Sequence, residues 1–108
     1  MSNRDLSQLS MLELFRLDAE SQIQALTAGL LALERDAAAA DQLEACMRAA
    51  HSLKGAARVV GLEVGVRVAH VMEDCFVAAQ RGAITLRQAQ IDVLLRGVDL
   101  LNQIANTP

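Results

Sequence analysis

The sequence contains a single proline, at its last position, and only six glycines in 108 residues. A protein with many strands needs frequent turns, and proline and glycine are the residues that most often form them. Apolar residues make up 53% of the chain, but the only aromatic ones are two phenylalanines. A core must therefore be built from Leu, Val, Ile, Ala and Met, most of which are good helix formers. The sequence predicts an all-α fold, and residues 1–108 have the length of one domain.

Apolar residues recur at helical spacing along most of the chain. The pattern predicts four helices, at residues 10–35, 41–60, 63–81 and 85–105. Gly61 and Gly82 stand where a helix commonly ends in a left-handed residue. Four long helices with short links predict an antiparallel four-helix bundle with up-down topology.

Three helix starts are predicted from capping residues. Ser10 with Glu13, and Thr85 with Gln88, have the spacing of a capping box, in which two side chains bond the first backbone N–H groups of a helix. Asp41 is a good N-cap for the second helix. On the first helix, the apolar stripe is predicted to begin at Leu12.

Net charge and the distribution of apolar residues argue against nucleic-acid binders and against membrane proteins. A net charge of −3 argues against a nucleic-acid binder, because such proteins usually neutralise phosphates with a basic surface. The sequence begins without the pattern of a signal peptide and has no run of about 18 apolar residues that could span a bilayer. We therefore expect a soluble, cytoplasmic domain with no membrane insertion. Cys46 and Cys75 lie in apolar helical patterns and are expected to be reduced.

The stretch "RAAHSLKGAARVVG" places a histidine in the predicted second helix. At about 100° per residue, Leu53, Ala57 and Val60 fall on the side away from His51. Six other residues fall within roughly 60° of His51: Glu44, Met47, Arg48, Lys54, Gly55 and Arg58. His51 is therefore predicted to lie on an exposed, cationic face.

This face has the groups that a phosphoryl acceptor needs. Attack on a phosphoryl group requires a free lone pair on a ring nitrogen, nearby positive charge for the transferred oxygens, and room for the protein that delivers the group. Lys54 offers the charge and Gly55 offers the room. The alternatives are a solvated surface histidine among solvated cations, and a glycine that allows close helix packing.

The stretch "AHVMED" places His70 and Glu73 on neighbouring turns of the predicted third helix. A carboxylate near His51 could accept the proton of one imidazole nitrogen and leave the other nitrogen free to attack. Glu73 is the candidate for this role. The alternative is a local hydrogen bond between His70 and Glu73 on a solvated face.

The sequence offers two cysteines and two histidines, which are the residue types that bind zinc. Cys46 and His51 are five residues apart, as are His70 and Cys75, which is about 140° around a helix. Ligands on one helix usually stand four apart, so the spacing predicts no metal site.

The run "AAHSLKGAARVVGL", followed by "VAHVMEDCFVAAQRG", resembles the histidine phosphotransfer (HPt) domain. The likeness is strongest to the N-terminal module of CheA-type chemosensory kinases. It implies that His51 is the phosphoacceptor, that Lys54 binds or stabilises the phosphoryl group, and that Gly55 leaves room for a receiver domain. Glu73 corresponds to the acid that hydrogen-bonds the histidine ring, and His70 to a neighbour in the same network. Arg48 and Arg58 would be supporting residues.

The resemblance also implies partners. A kinase catalytic domain elsewhere would transfer the γ-phosphoryl group of ATP to His51, and an aspartate of a receiver domain would remove it. Because the sequence has no glycine-rich phosphate loop, we expect this chain to be a phosphoacceptor and phosphodonor without a cofactor, and not an enzyme by itself. ATP and Mg²⁺ would be used by the kinase domain of a larger parent chain, of which this domain is the N-terminal module.

The stretch "LLALERDAAAADQLEACMRAAHSLKGAARVVG" resembles the phosphotransfer domain of hybrid kinases in Wsp-type surface-sensing systems. That likeness implies a diguanylate cyclase response regulator and a methylesterase regulator as receivers. The alternative function is a non-catalytic helical adaptor or dimerisation module that uses His51 for no chemistry.

Overall fold

A computed structural model describes residues 3–107, with side chains described for residues 10–107. The helices are α1 (Asn3–Arg35), α2 (Ala40–Val59), α3 (Glu63–Gln80) and α4 (Gln88–Asn106). Within this part of the chain, α1 packs against α2 and α4, and α3 packs against the same two helices. The connections are short, so consecutive helices run antiparallel. The predicted all-α four-helix bundle is confirmed.

The predicted start of α1 is wrong, whereas α2 begins one residue before its predicted start but without the predicted cap. α1 begins at Asn3, and Ser10 lies inside it, because residues 3–9 contain no proline or glycine that would stop a helix. α2 begins at Ala40 after the N-cap residue Ala39, which makes no side-chain cap. Asp41 lies in the first turn, where its charge is favourable beside the positive end of the helix dipole.

The start of α4 differs in the other direction, because it is later than predicted. The helix begins at Gln88 with Arg87 as its N-cap, and not at Thr85. The Gln90 side chain accepts a hydrogen bond of 3.0 Å from the backbone N–H of Arg87. Leu86, just before the helix, is buried, so its packing on the core fixes the chain before the helix starts.

The two glycine helix ends are confirmed. Gly61 and Gly82 have φ angles of 76° and 74°, which side chains other than glycine rarely adopt. Beyond Gly61, the backbone N–H of Leu62 donates to the carbonyl oxygen of Ala57 at 2.9 Å. This bond satisfies one of the free carbonyl groups at the end of α2 and lets the chain reverse into α3.

The core is formed by the inward stripes of all four helices. Among the described side chains of α1, from residue 10 onward, Phe15 is the first that is buried, whereas Leu12 is 40% exposed, so Leu12 does not belong to the buried stripe as predicted. Both cysteines are free thiols, and burial raises the pKa of Cys46 to about 11. None of the described helices is long and apolar enough to cross a membrane.

Candidate functional site

His51 and Glu73 meet between the middle of α2 and the middle of α3. The His51 side chain is 65% exposed, whereas the Glu73 side chain is only 12% exposed. The Nδ1 atom of His51 is hydrogen-bonded to Oε2 of Glu73. The structure therefore places His51 on the exposed face of α2 and brings Glu73 to it, as the sequence predicts.

Lys54 holds the other oxygen of the same carboxylate. Its Nζ donates a hydrogen bond of 2.6 Å to Oε1 of Glu73, and its side chain is only 16% exposed. The ammonium group thus lies on Glu73 instead of standing free beside the ring of His51. Sequence reasoning missed this contact, because it depends on the distance between two helices.

The charge of Glu73 follows from its two partners. Burial by itself would raise the pKa of the Glu73 carboxyl, but hydrogen bonds from Lys54 and His51, together with their charges, hold the pKa below its usual value. An ionised carboxylate can only accept hydrogen bonds, so Nδ1 of His51 carries the proton. In this tautomer, Nε2 has the free lone pair.

Gly55 lies one turn beyond His51 and is exposed. No atom of the described residues lies within 4 Å of a Cβ built at this position. The alternative that Gly55 permits close packing of two helices is therefore wrong. The surface next to His51 is left open along α2.

His70 lies beside this network without bonding to Glu73. Its Nε2 approaches Oδ1 of Asp74 at 3.6 Å, and both side chains are largely exposed. The local alternative was a hydrogen bond between His70 and Glu73. The described part of the chain does not contain this bond. Asp74 was missed in the sequence, although its spacing of four from His70 is the signal that could have identified it.

In the described part of the chain, the two cysteines and two histidines do not form one group of possible metal ligands. Among the described residues, the group of possible metal ligands is His70, Glu73 and Asp74, whose ligand atoms lie within 4.8 Å of one another. Both oxygens of Glu73 are already bonded, to His51 and Lys54. This leaves two exposed side chains free to hold an ion.

The arginines on the face of His51 are solvated. Arg48 donates to Oε1 of Glu44 at 2.8 Å, one turn away from the ring. This pair is exposed and contributes little to stability. Arg58 is also exposed. Both are available to a docking protein, and Arg48 bonds Glu44 instead of His51.

Residues 10–106 match the family model described as the Hpt domain. The chain is 27% identical to the chemotaxis protein CheA of Borreliella burgdorferi over 93% of its length, and 33% identical to the CheA of Rhizobium meliloti over 87%. It is 35% identical to a gliding motility regulatory protein of Myxococcus xanthus over 88% of its length. In each case it spans only 12% of the relative.

The fold is also that of a solved structure. The CheA phosphotransferase domain from Thermotoga maritima superposes with a TM-score of 0.86 at 24% sequence identity. The match covers 98% of this chain and 96% of that one. The family model matches nearly the whole chain, so this protein belongs to the Hpt domain family of phosphotransfer modules.

Proposed function

We propose that this chain is a phosphorelay intermediate in two-component signalling. His51 accepts a phosphoryl group from the catalytic domain of a histidine kinase and passes it to an aspartate of a receiver domain. One observation carries the proposal: an exposed imidazole whose Nδ1 is held by a buried carboxylate, which leaves Nε2 free at the surface. A merely solvated histidine has no need of such a partner.

In the first step, the lone pair of Nε2 attacks the γ-phosphorus of ATP. A bond forms between nitrogen and phosphorus, and the bond from phosphorus to the bridging oxygen breaks, so that ADP leaves with that electron pair. The ring then carries a positive charge, because its Nδ1 keeps the proton. Glu73 stabilises this charge through the hydrogen bond that it already makes to Nδ1.

In the second step, a carboxylate oxygen of the receiver aspartate attacks the same phosphorus. The bond between nitrogen and phosphorus breaks, and its electron pair returns to Nε2. The positively charged ring is a better leaving group than a neutral one, so Glu73 must hold the proton in place without removing it. Lys54 supports this role, because its bond to Oε1 keeps the carboxylate ionised and fixed.

The open surface around Gly55 supports the access that both steps need. The phosphorus must come within bonding distance of Nε2, so a partner domain has to lie directly on α2. With no side chain at Gly55 and none of the described residues near it, the partner can approach the helix backbone. Arg48 and Arg58, which flank His51, would then meet the negative charges around the phosphoryl group.

The proposed partners follow from the relatives. One of them is named a sensor histidine kinase, from Helicobacter pylori, and is 30% identical over 89% of this chain. We infer that the parent chain is an ATP-dependent histidine kinase whose catalytic domain binds ATP and Mg²⁺, and that this domain needs no cofactor. The likeness to surface-sensing kinases favours a diguanylate cyclase regulator and a methylesterase regulator as receivers.

The test is phosphorylation by an active CheA-type kinase domain with labelled ATP. We expect a label that is stable in alkali and lost in acid, as phosphohistidine is, and that is absent from His51→Gln. His70→Gln is the matched control, because it removes the other histidine of the chain, and it should keep the label. A domain that stays unlabelled, beside an HPt domain that is labelled, would favour the helical adaptor instead.

A further inference from the structure

The cations near His51 are already engaged by carboxylates. Nζ of Lys54 donates to Oε1 of Glu73 at 2.6 Å, and Arg48 donates to Oε1 of Glu44 at 2.8 Å. A phosphoryl group on a ring nitrogen carries negative charge on its three oxygens, and a hydrogen-bond donor beside them stabilises that charge. Another donor beside Nε2 of His51 would therefore assist the transfer.

The ring of His51 shows on which side such a donor must lie. Its Nδ1 is bonded to Glu73 of α3. The two nitrogens of an imidazole point to opposite sides of the ring, so Nε2 points outward and away from α3. Among the described helices, α2 packs against α3 and α1. The helix that flanks a phosphoryl group on Nε2 is therefore α1.

Gly29 gives the register of the antiparallel helices α1 and α2. A Cβ built at Gly29 would overlap Sγ of Cys46 and would lie 3.8 Å from the backbone carbonyl oxygen of Gln42. Gly29 is therefore level with the point halfway between these two residues. Seven residues before Gly29 is Gln22, and seven residues beyond the halfway point is His51. Because both helices rise by the same amount per residue, Gln22 is level with His51.

Gln22 also faces α2. Seven residues are nearly two helical turns, so Gln22 lies within about 20° of Gly29 on the same side of α1. The other end of the contact between the helices agrees with this register. Phe15, a further seven residues back, lines a cavity together with Ala56 and Val59 of α2. Gln22 is thus the polar residue that α1 places beside α2 at the level of His51.

The amide of Gln22 is accessible at the edge of this contact. Its side chain is half-buried and makes no side-chain hydrogen bond to the described residues. No fully buried polar side-chain atom in this part of the chain lacks a partner, so the unbonded amide reaches solvent. At the same level α2 presents Ala49 and Ser52 to α1, and both are too short to screen Gln22 from the exposed face.

We propose that the side-chain amide of Gln22 donates a hydrogen bond to the phosphoryl group on Nε2 of His51. The inference rests on the proposed function, because it needs a phosphorylated His51. An amide N–H is a neutral donor, so it stabilises the charge on the phosphoryl oxygens without competing with Lys54 for Glu73. During transfer this charge is spread over the three oxygens, and the amide keeps its protons throughout.

The rate of phosphorylation by a CheA-type kinase domain with labelled ATP tests the proposal. Gln22→Ala should lower the rate about tenfold, as expected for one lost hydrogen bond to a charged group. Gln22→Glu should lower it further, because a carboxylate repels the phosphoryl oxygens. Gln24→Ala is the matched control, since Gln24 is exposed on the same helix about 200° away, and its rate should equal that of the wild type.

Equal rates for Gln22→Ala and the wild type would overturn the proposal, and so would equal losses in the variants of Gln22 and Gln24. A wild type without any label would instead refute the proposed function.

NMR of the side-chain amides separates a contact from a merely structural role. On phosphorylation, the NH₂ signals of Gln22 should shift, and those of Gln24 should stay in place. The signals of each residue are assigned by their absence from its alanine variant. Gln22 signals that do not move would overturn the contact, even if Gln22→Ala is phosphorylated slowly.

Discussion

The contact between Lys54 and Glu73 makes a quantitative prediction for stability. Removing one partner of a buried ion pair costs about 3–5 kcal/mol, because the other charge is left without compensation. Here Glu73 keeps its bond to His51, and the two side chains retain 16% and 12% exposure. We therefore expect Lys54→Met to lower the free energy of unfolding by about 2 kcal/mol. Methionine has a similar length, so little packing is lost.

A double-mutant cycle with Glu73→Gln isolates the pair. Each variant loses some free energy of unfolding, which urea denaturation measures. The sum of the losses in the two single variants should exceed the loss in the double variant by about 1–2 kcal/mol. The exposed pair Glu44 and Arg48 serves as the matched control, because its side chains are 51% and 73% exposed. Its coupling should not exceed about 0.5 kcal/mol. Equal coupling in the two cycles would refute the claim that burial makes the Lys54 contact strong.

The same pair determines how stability responds to acid. The pKa of Glu73 lies below its usual value of 4.5 in the folded chain, so the unfolded chain takes up this proton at a higher pH. The stabilisation is complete above the unfolded pKa and is lost as the pH falls through the folded pKa. In Lys54→Met, the folded pKa of Glu73 rises toward the unfolded one, so the loss should be smaller and should be complete at a higher pH. An identical acid dependence in the wild type and Glu73→Gln would contradict this account.

Three further predictions concern packing and access. Gly55→Ala should raise the free energy of unfolding by about 0.5–1 kcal/mol, because alanine favours helix and nothing obstructs it; a loss would contradict the open surface. Gly29→Ala should lower it by about 1–2 kcal/mol, because its Cβ would overlap Sγ of Cys46, and Cys46→Ala in the same chain should relieve part of this loss. A soluble thiol reagent should modify the half-buried Cys75 before Cys46, and the reverse order would be inconsistent with the burial of Cys46.

The ends of the helices were easier to predict from sequence than their starts. Gly61 and Gly82 were predicted as ends because a left-handed φ angle strongly favours one residue type. The capping residues predicted at Ser10, Asp41 and Thr85 were wrong, because many residues are tolerated at a helix start. Leu86 shows the physical reason, since its burial in the core fixes the chain before α4 and outweighs the local capping signal.

The functional site also has features that the sequence predicts and features that only the structure shows. Helical spacing predicted that His51 is exposed, because this depends only on positions within one helix. The residues alone made Glu73 a candidate partner of His51, but they left a local bond to His70 as the alternative, and the family pattern favoured the pairing with His51, which depends on the register between α2 and α3. The contact of Lys54 with Glu73 needed the structure, since a lysine on a helix can reach several positions.

The central claim is that Glu73 holds the proton on Nδ1 of His51, so that chemistry occurs at Nε2. NMR correlation between nitrogen and phosphorus in the phosphorylated domain measures this directly, because it identifies the ring nitrogen that carries the phosphorus. We expect the phosphorus on Nε2 of His51 and the proton on Nδ1. Phosphorus on Nδ1 of His51, or on His70, would contradict the account.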